Sequence, residues 1–428
     1  MSPYLAGQVQ WQGHASPNER AMTVDRNELD RKRTEILTRN NAQTIHEALG
    51  KLEEHRAHYR SRWLWELIQN ARDAHQPGQQ MTIAITVADD EIHFRHNGRP
   101  FTQEEILSLI YHGSTKASAA EPQLGKFGTG FLSSHLLSLT VGVHGSLAQE
   151  GRPLSGFRFV LDRSGSTATE IGNAMENSYD SFLESANSGA VPSSPWTEYI
   201  YRSPRTREAS TAEDIGTQVA AIPYVLAFDQ NIGRIELGLY GITPIICRLG
   251  EERDLDGLSI LVLSLAEDGD ATVRLALARG EETVVAFPIA RAANGVYALQ
   301  PIDAVPRLFY FLPLIGTSGL GLPAVFHSAS FEPTQDRDGL YLAQGEGPKT
   351  ETNKRLLSRC VDVLAKAASA CSRQGCGNLH ELLLVHSSQG QNSWLTDLKW
   401  YQDFQRSLLE ALADIPLVRT RRDEVIPS

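Results

Sequence analysis

The chain is poor in cysteine and has no long apolar run. It contains 4 cysteines in 428 residues, and no Cys-x-x-Cys pair or Cys/His set has zinc spacing. These facts argue against a disulfide framework and a structural metal, and favour reduced thiols. No apolar run approaches the roughly 20 residues that span a bilayer. The first residues also lack the basic and apolar segments of a secretory signal. We therefore expect a cytoplasmic protein without a membrane segment.

The chain also lacks an excess of positive charge. It has 40 Lys and Arg against 51 Asp and Glu, a formal net charge of −11. Proteins whose main task is to wrap nucleic acid usually carry the opposite balance, so nucleic acid is not an expected partner. The hydrophobic fraction of 41% and the length predict an ordinary globular protein of two or three domains.

Composition and periodicity predict a mixed α+β order of elements. Residues 1–24 are polar and predict an N-terminal arm. Thr102 and Glu105 have the spacing of a helix capping box, and a Gly/Ser/Ala-rich stretch follows up to residue 126. The other expected elements are helices in 25–74 broken near Gly50, strands at 81–87, 91–96, 140–144, 156–161 and 217–222, a helix at 130–139, a polar surface insertion at about 163–212, and helices from 352 to about 413.

These elements suggest three structural units. We expect a first domain at 25–225, a smaller α/β domain at 226–345 and a mainly helical segment at 346–428. The last residues read like the beginning of another strand unit, which predicts that the chain is a fragment of a longer protein.

The most informative motif lies at 66–74. Glu66, Asn70 and Asp73 fall at i, i+4 and i+7 on one face of a predicted helix, with apolar residues on the opposite face. A carboxylate–amide–carboxylate face is suited to hold a hydrated cation and a water beside a polyphosphate. By itself the pattern also fits an amphipathic surface helix.

Two glycine-containing motifs follow in order. The turn at 96–101 contains Gly98, which lets the backbone approach a flat ligand. The loop at 125–131 has the pattern Gly-x-x-Gly-x-Gly and opens into a predicted helix, a combination that favours phosphate binding. The Walker-type phosphate loop, Gly-x-x-x-x-Gly-Lys-Ser/Thr, is absent.

Together these three motifs resemble the nucleotide-binding motifs of the GHKL superfamily, which includes DNA gyrase, heat-shock chaperones, histidine kinases and MutL. The stretches at 110–116 and 215–219 are similar to the chaperone and sacsin-like branch, where they begin the ATP lid (here about 102–126) and help bind adenine. The resemblance covers about residues 55–225. It implies a Bergerat-type α/β sandwich that binds ATP and Mg²⁺, followed by a transducer-like domain.

The resemblance also implies roles for single residues. Glu66 would be the general base that activates water, and Asn70 would hold Mg²⁺. Asp73 would support the pocket through water. The cofactor-binding positions that it implies are Asn70, Asp73, Ala74, His96, Asn97, Gly98, Lys116, Gly125, Lys126, Phe127, Gly128, Thr129, Gly130, Phe131 and Thr217.

Two features leave alternatives open. In the family, the position of His96 holds an Asp that accepts a hydrogen bond from the amino group of adenine. In this chain His96, Asn97 or a water could take that role, or His96 could only pack against neighbouring side chains. In the second domain, Gln335 and Arg337 are the candidates for the residue that reaches the γ-phosphate, against a plain surface turn.

Three functions remain open from the sequence. The first is a slow ATPase that dimerises transiently with ATP and remodels a protein partner or gates an effector, as in bacterial defence proteins against viruses. The second is a nucleotide-sensing module with little or no turnover. The third is a DNA-processing clamp of the gyrase or MutL type, which the net charge disfavours.

Overall fold

The computed structural model describes most of the chain and shows a mixed α+β protein. The described residues are 25–56, 62–88, 90–111, 130–202, 218–239, 242–255, 257–264, 272–343, 345, 347–386, 393–419 and 425–427. Every helix within these ranges is too short or too polar to cross a membrane. Cys360, Cys371 and Cys376 are buried free thiols.

The first half of the chain contributes six strands to the sheet, in the order β4-β3-β5-β2-β1-β6. Neighbouring strands are antiparallel except β1 and β6, which run parallel. The strands are β1 (Met81–Val87), β2 (Glu91–His96), β3 (Thr140–Leu147), β4 (Ser155–Asp162), β5 (Thr197–Arg202) and β6 (Ile232–Leu239).

Helices cover one face of these strands. Alternate residues of β2, namely Ile92, Phe94 and His96, are buried, whereas the intervening side chains are more exposed. This period of two is expected for a sheet with one face against a core. The helices are α1 (Arg26–Glu54), α2 (Trp63–Asp73), α3 (Gln103–Tyr111), α4 (Gly130–Ser133), α5 (Ala168–Ser188) and α6 (Ile222–Phe228), and a 3₁₀ turn spans Ser134–Leu136.

The second half of the chain continues the same sheet through the pairing of β6 with β7. The order from there is β7-β8-β9-β10-β14-β12-β13, and β11 pairs with β10. The strands are β7 (Ile242–Leu255), β8 (Leu258–Ser264), β9 (Thr272–Arg279), β10 (Val284–Arg291), β11 (Tyr297–Leu299), β12 (Leu308–Tyr310), β13 (Leu312–Pro313) and β14 (Val325–His327).

Two long C-terminal helices pack on the second half of the sheet. The apolar stripe of α7 (Pro348–Arg373) shares one hydrophobic core with β8 and β10, and α8 (Leu398–Leu412) completes it. Strands β15 (Pro416–Arg419) and β16 (Val425–Pro427) form a separate pair. Further 3₁₀ turns span Ile315–Leu320 and Leu379–Leu383. The expected helical segment at 346–428 is therefore joined to the expected second domain by a common core.

Two helix predictions differ from the structure in their bounds. The expected break near Gly50 is wrong, because α1 continues through Gly50 to Glu54. One glycine costs a helix only about 1 kcal/mol, and the burial of Ile45 in the same helix, at about 1.5–3 kcal/mol, offsets that. The helix expected at 130–139 is shorter, since α4 gives way to the 3₁₀ turn after Ser133.

The polar segment at 163–212 is not merely a surface insertion. It forms α5, whose Ile171, Met175 and Phe182 are buried, and then β5, which lies between β2 and β3 in the sheet. The polar composition of this segment led to the wrong prediction of a surface insertion, because one apolar residue per helical turn is enough to bury one face of a helix. The strand expected at 217–222 is also wrong over its described part, where 218–219 and α6 are helical.

Candidate functional site

The site is built on α2, whose two faces differ as the sequence predicted. Five of its apolar residues are at most 1% exposed, and Trp65 is 6% exposed; the five are Trp63, Leu64, Leu67, Ile68 and Ala71. Glu66 is 8% exposed, while Asn70 and Asp73 are partly exposed. The predicted separation into an apolar back and a polar front is therefore confirmed, and Glu66 is the buried member of the front.

A buried carboxylate needs compensation, and Glu66 has a cationic neighbour one helical turn earlier. Arg62 Nη2 lies 3.4 Å from Glu66 Oε1. The other guanidinium nitrogen, Nη1, lies 3.5 Å from Asp336 Oδ1. A buried charge without a partner would cost several kcal/mol, and Arg62 is the partner that offsets this cost for the carboxylate of Glu66.

The loop that carries Asp336 also brings Arg337 to the front of α2. Burial lowers the pKa of the Arg337 guanidinium, and the negative charges of Glu66 and Asp73 act in the opposite direction. Arg337 also has a φ of +51°, which is uncommon for a residue with a side chain. A strained cation held beside two carboxylates is the kind of backbone outlier that is found at functional sites.

Hydrogen bonds inside this loop fix its shape. Thr334 Oγ1 donates to Asp338 Oδ1 at 2.6 Å, and the Thr334 N–H donates to the Gly339 carbonyl at 3.0 Å. The Arg337 N–H donates to the Thr334 carbonyl at 3.1 Å. Gln335 is exposed at the outside of the loop. Of the two candidates from the sequence, the structure thus brings Arg337 into the electrostatic field of Glu66.

The turn after β2 is tied to β1 and to the end of α2. Asn97 Oδ1 accepts a hydrogen bond from the Thr82 N–H at 2.7 Å, and the Asn97 N–H donates to the Thr82 carbonyl at 3.2 Å. A Cβ on Gly98 would stand 2.6 Å from the Ala74 carbonyl oxygen. Glycine is required here by the backbone of α2, and Asn97 uses its amide oxygen to hold the turn.

His96 is buried and neutral. Burial lowers its pKa to about 4. Its Nδ1 accepts a hydrogen bond from the Gly98 N–H at 3.2 Å, which assigns the proton of the neutral ring to Nε2. The ring lies 6.3 Å from Phe94 and 6.5 Å from Tyr199, measured between centroids. The only acceptor nitrogen of the neutral ring is therefore used within the turn.

Sequence reasoning missed a second contact between α2 and the rest of the chain. Arg72 forms an ion pair with the buried carboxylate of Asp229, and its guanidinium lies 4.1 Å from the ring centroid of Phe311. Phe311 has a φ of +59° between β12 and β13. A positively charged residue beside Asp73 was visible in the sequence, but no local pattern connects it with residues 229 and 311.

The other predicted binding residues are described only in part. Gly130 begins α4, and the Phe131 ring lies 5.2 Å from the Tyr199 ring. The remaining seven predicted positions lie outside the described residues: Lys116, Gly125, Lys126, Phe127, Gly128, Thr129 and Thr217.

The donors on α2 fit a cation that arrives with a ligand. The described residues contain no group of three or more His, Cys, Asp or Glu side chains that could hold a metal ion. Asn70 supplies one amide oxygen beside the carboxylates of Glu66 and Asp73 on the same helix face. Mg²⁺ usually takes one or two protein ligands and completes its coordination shell with phosphate and water. The oxygen atoms on this face of α2 fit that coordination.

The chain matches none of the protein-family models, and the search of curated proteins also finds no match.

Proposed function

We propose that the chain binds a purine nucleoside triphosphate with Mg²⁺ on the polar face of α2 and hydrolyses its terminal phosphate, as the GHKL ATPases do. The observation that carries this proposal is that Asp336, from the second half of the chain, lies 3.5 Å from Arg62, which itself lies 3.4 Å from Glu66. The loop that holds Asp336 and the cation Arg337 therefore reaches the proposed base, and phosphoryl transfer needs a base and a cation together.

Glu66 is the general base of the proposed reaction. Its carboxylate is recessed, so a water bound to it would be shielded from bulk solvent. The pairing of Arg62 with Oε1 leaves Oε2 for that water. Glu66 on α2 is held by the first turn of the helix, where its N–H donates to the Arg62 carbonyl at 3.0 Å.

Asn70 would hold the cation, and Arg337 would balance the phosphates. A bound Mg²⁺ would neutralise phosphate charge and orient the terminal phosphoryl group. The Arg337 guanidinium can donate two parallel hydrogen bonds to phosphate oxygens, which a lysine cannot do. Asp73 would contact the bound ligand through a water, as the resemblance implies.

The arrangement of the first half of the chain supports the Bergerat-type part of the proposal. Helices lie on one face of a mixed sheet, and the C-terminal end of α2 meets the turn after β2, where Gly98 approaches the Ala74 carbonyl. Dimerisation with ATP and action on a protein partner are what the resemblance adds to this proposal.

Phosphate release by Glu66 variants tests the proposed function. We expect Glu66→Gln to bind ATP with Mg²⁺ within about threefold of the wild-type affinity. Its kcat should fall at least about 100-fold, because a general base raises the rate of such a reaction on the order of 10²–10⁴-fold. Glu410→Gln, on the exposed side of α8, is the matched control and should keep the wild-type rate. Equal rates for the two variants would refute the role of Glu66.

The environment of His96 favours a second candidate, a nucleotide sensor with little turnover. Its acceptor nitrogen is used by Gly98, so recognition of the adenine amino group by His96 is lost and another nucleotide could be preferred. Calorimetry with ATP, ADP and GTP, combined with phosphate release, separates the candidates. Tight binding without release of phosphate supports the sensor and excludes the ATPase.

A further inference from the structure

Arg62 contacts carboxylates from both halves of the chain. Its Nη2 lies 3.4 Å from Glu66 Oε1, on the same helix, and its Nη1 lies 3.5 Å from Asp336 Oδ1, on the loop after β14. The planar guanidinium presents both nitrogens in one fixed fork. A single guanidinium therefore links Asp336 to Glu66.

The two contacts of Arg62 differ in burial and hence in strength. The side chains of Arg62 and Glu66 are 12% and 9% exposed, whereas Asp336 is 51% exposed. Buried charge pairs persist because separating them leaves an uncompensated charge. Exposed pairs are weak and screened by solvent. The Arg62–Glu66 contact is thus the lasting one, and the Asp336 contact can break at little cost.

The loop that carries Asp336 also carries the cation Arg337. Asp336 contacts Arg62, and the next residue, Arg337, lies in the field of Glu66. Hydrogen bonds from Thr334 to both Asp338 and Gly339 close the loop around Asp336 and Arg337. The positions of these two charged residues are therefore set by the same loop.

We propose that Arg62 is a positioning residue that couples the loop of residues 334–339 to the carboxylate of Glu66. It fixes Oε1 so that Oε2 faces the water, and Asp336 fixes the guanidinium in turn. This role rests on the proposed function, because the carboxylate that Arg62 positions is the proposed base.

The kinetic test separates binding from turnover in four variants. Arg62→Gln should lower kcat at least about tenfold while the Kd for ATP with Mg²⁺ stays within about twofold, as for other residues that orient a catalytic group. Arg62→Lys should recover part of that loss, since it restores the charge without the fork. Asp336→Asn should lower kcat by up to about fivefold. Arg406→Gln, from the exposed pair with Asp403, should keep the wild-type kcat.

Two kinetic results would overturn the role of Arg62. A wild-type or higher kcat in Arg62→Gln would show that the guanidinium does not position the base. A loss confined to nucleotide affinity, with kcat unchanged, would show that Arg62 binds the ligand. The backbone hydrogen bond from Glu66 to the Arg62 carbonyl is kept in every variant, so the start of α2 is not removed.

Chemical denaturation without nucleotide makes the coupling testable apart from the reaction. Double-mutant cycles of Arg62→Gln with Glu66→Gln and with Asp336→Asn should both be non-additive. If wild-type protein releases no phosphate, the proposed function fails, and these cycles alone decide whether Arg62 links the loop to Glu66. Additive effects in both cycles overturn the coupling whatever the activity.

Discussion

Gly98 and Ala74 approach so closely that a Cβ at position 98 would stand 2.6 Å from the Ala74 carbonyl oxygen. That oxygen also accepts a hydrogen bond from the Arg99 N–H at 2.7 Å, so it cannot move away freely. The contact joins the turn after β2 to the C-terminal end of α2. It therefore sets the position of the helix that carries Glu66 and Asn70 relative to the turn that follows His96.

Gly98→Ala should destabilise the protein by about 1–3 kcal/mol, because the new methyl group meets a backbone atom. Gly50→Ala is the matched control, since no atom lies within 4 Å of its Cβ position in α1. That variant should raise stability by up to about 1 kcal/mol. Urea unfolding measures both, and a similar free energy of unfolding for the two variants would contradict the close approach.

Arg72→Met should destabilise the protein by about 3–5 kcal/mol, because Asp229 would remain buried without its cation. The contact of the guanidinium with the Phe311 ring would be lost as well. Arg31→Met, in the exposed Arg31–Glu35 pair of α1, should cost less than about 0.5 kcal/mol. Denaturant midpoints of the two variants check this, and equal midpoints would show that the buried pair contributes no more than the exposed one.

Acid should destabilise the protein through His96 and His327. Burial lowers the pKa of each to about 4, below the unfolded value near 6.5. The unfolded chain therefore binds more protons between these values, and stability falls as the pH drops from 6.5 towards 4. The loss is about 2 kcal/mol for each histidine at pH 5.

The variant His327→Phe tests this pH dependence. The difference in unfolding free energy between pH 7 and pH 5 should shrink by about 2 kcal/mol, while His380→Phe, at an exposed position, should leave it unchanged. An unchanged difference in His327→Phe would contradict the prediction.

His93 changes the stability with pH in the opposite direction. Its pKa is raised despite burial, through hydrogen bonds to Glu91 and Glu198, so its contribution is present at low pH and lost as the pH rises, but solvent screens it.

His96→Asp should increase the preference for ATP over GTP by at least about tenfold. One carboxylate oxygen can accept the Gly98 N–H that His96 Nδ1 now accepts, as in an Asx turn, and the other remains an acceptor for the adenine amino group. Calorimetric Kd values for the two nucleotides measure the ratio. The exposed variant His380→Asp controls for added charge, and an equal ratio in both variants would show that residue 96 does not face the base.

The local features of the fold were accessible from the sequence. The capping box of α3 was predicted from two residues, and it is present: the Thr102 N–H donates to Glu105 Oε2 at 2.9 Å, and the Glu105 N–H donates to Thr102 Oγ1 at 3.2 Å. The alternation of apolar and polar residues correctly predicted β1 and β2. The helical spacing correctly predicted the two faces of α2. Each depends on neighbours within a few residues of one another.

The errors came from segments whose environment is not local. Arg163 begins the stretch that looked like a polar insertion, yet it is buried and donates to the carbonyls of Leu109 and Ile110 at the end of α3. Strand β5 pairs with β2 and β3, which precede it by long intervals. Composition describes what a segment contains and carries no information about which other segment will cover it.

The sequence by itself determined the periodicity of α2, the order of the three motifs and the residues Glu66, Asn70 and Asp73 on one helix face. Only the tertiary structure decided that Arg62 joins Glu66 to Asp336, that Arg72 meets Asp229, and that Gly98 is required by Ala74. The physical reason is that helix and strand patterns arise from contacts a few residues apart. The forces between charges depend on distance and burial, and both are set by how remote segments pack.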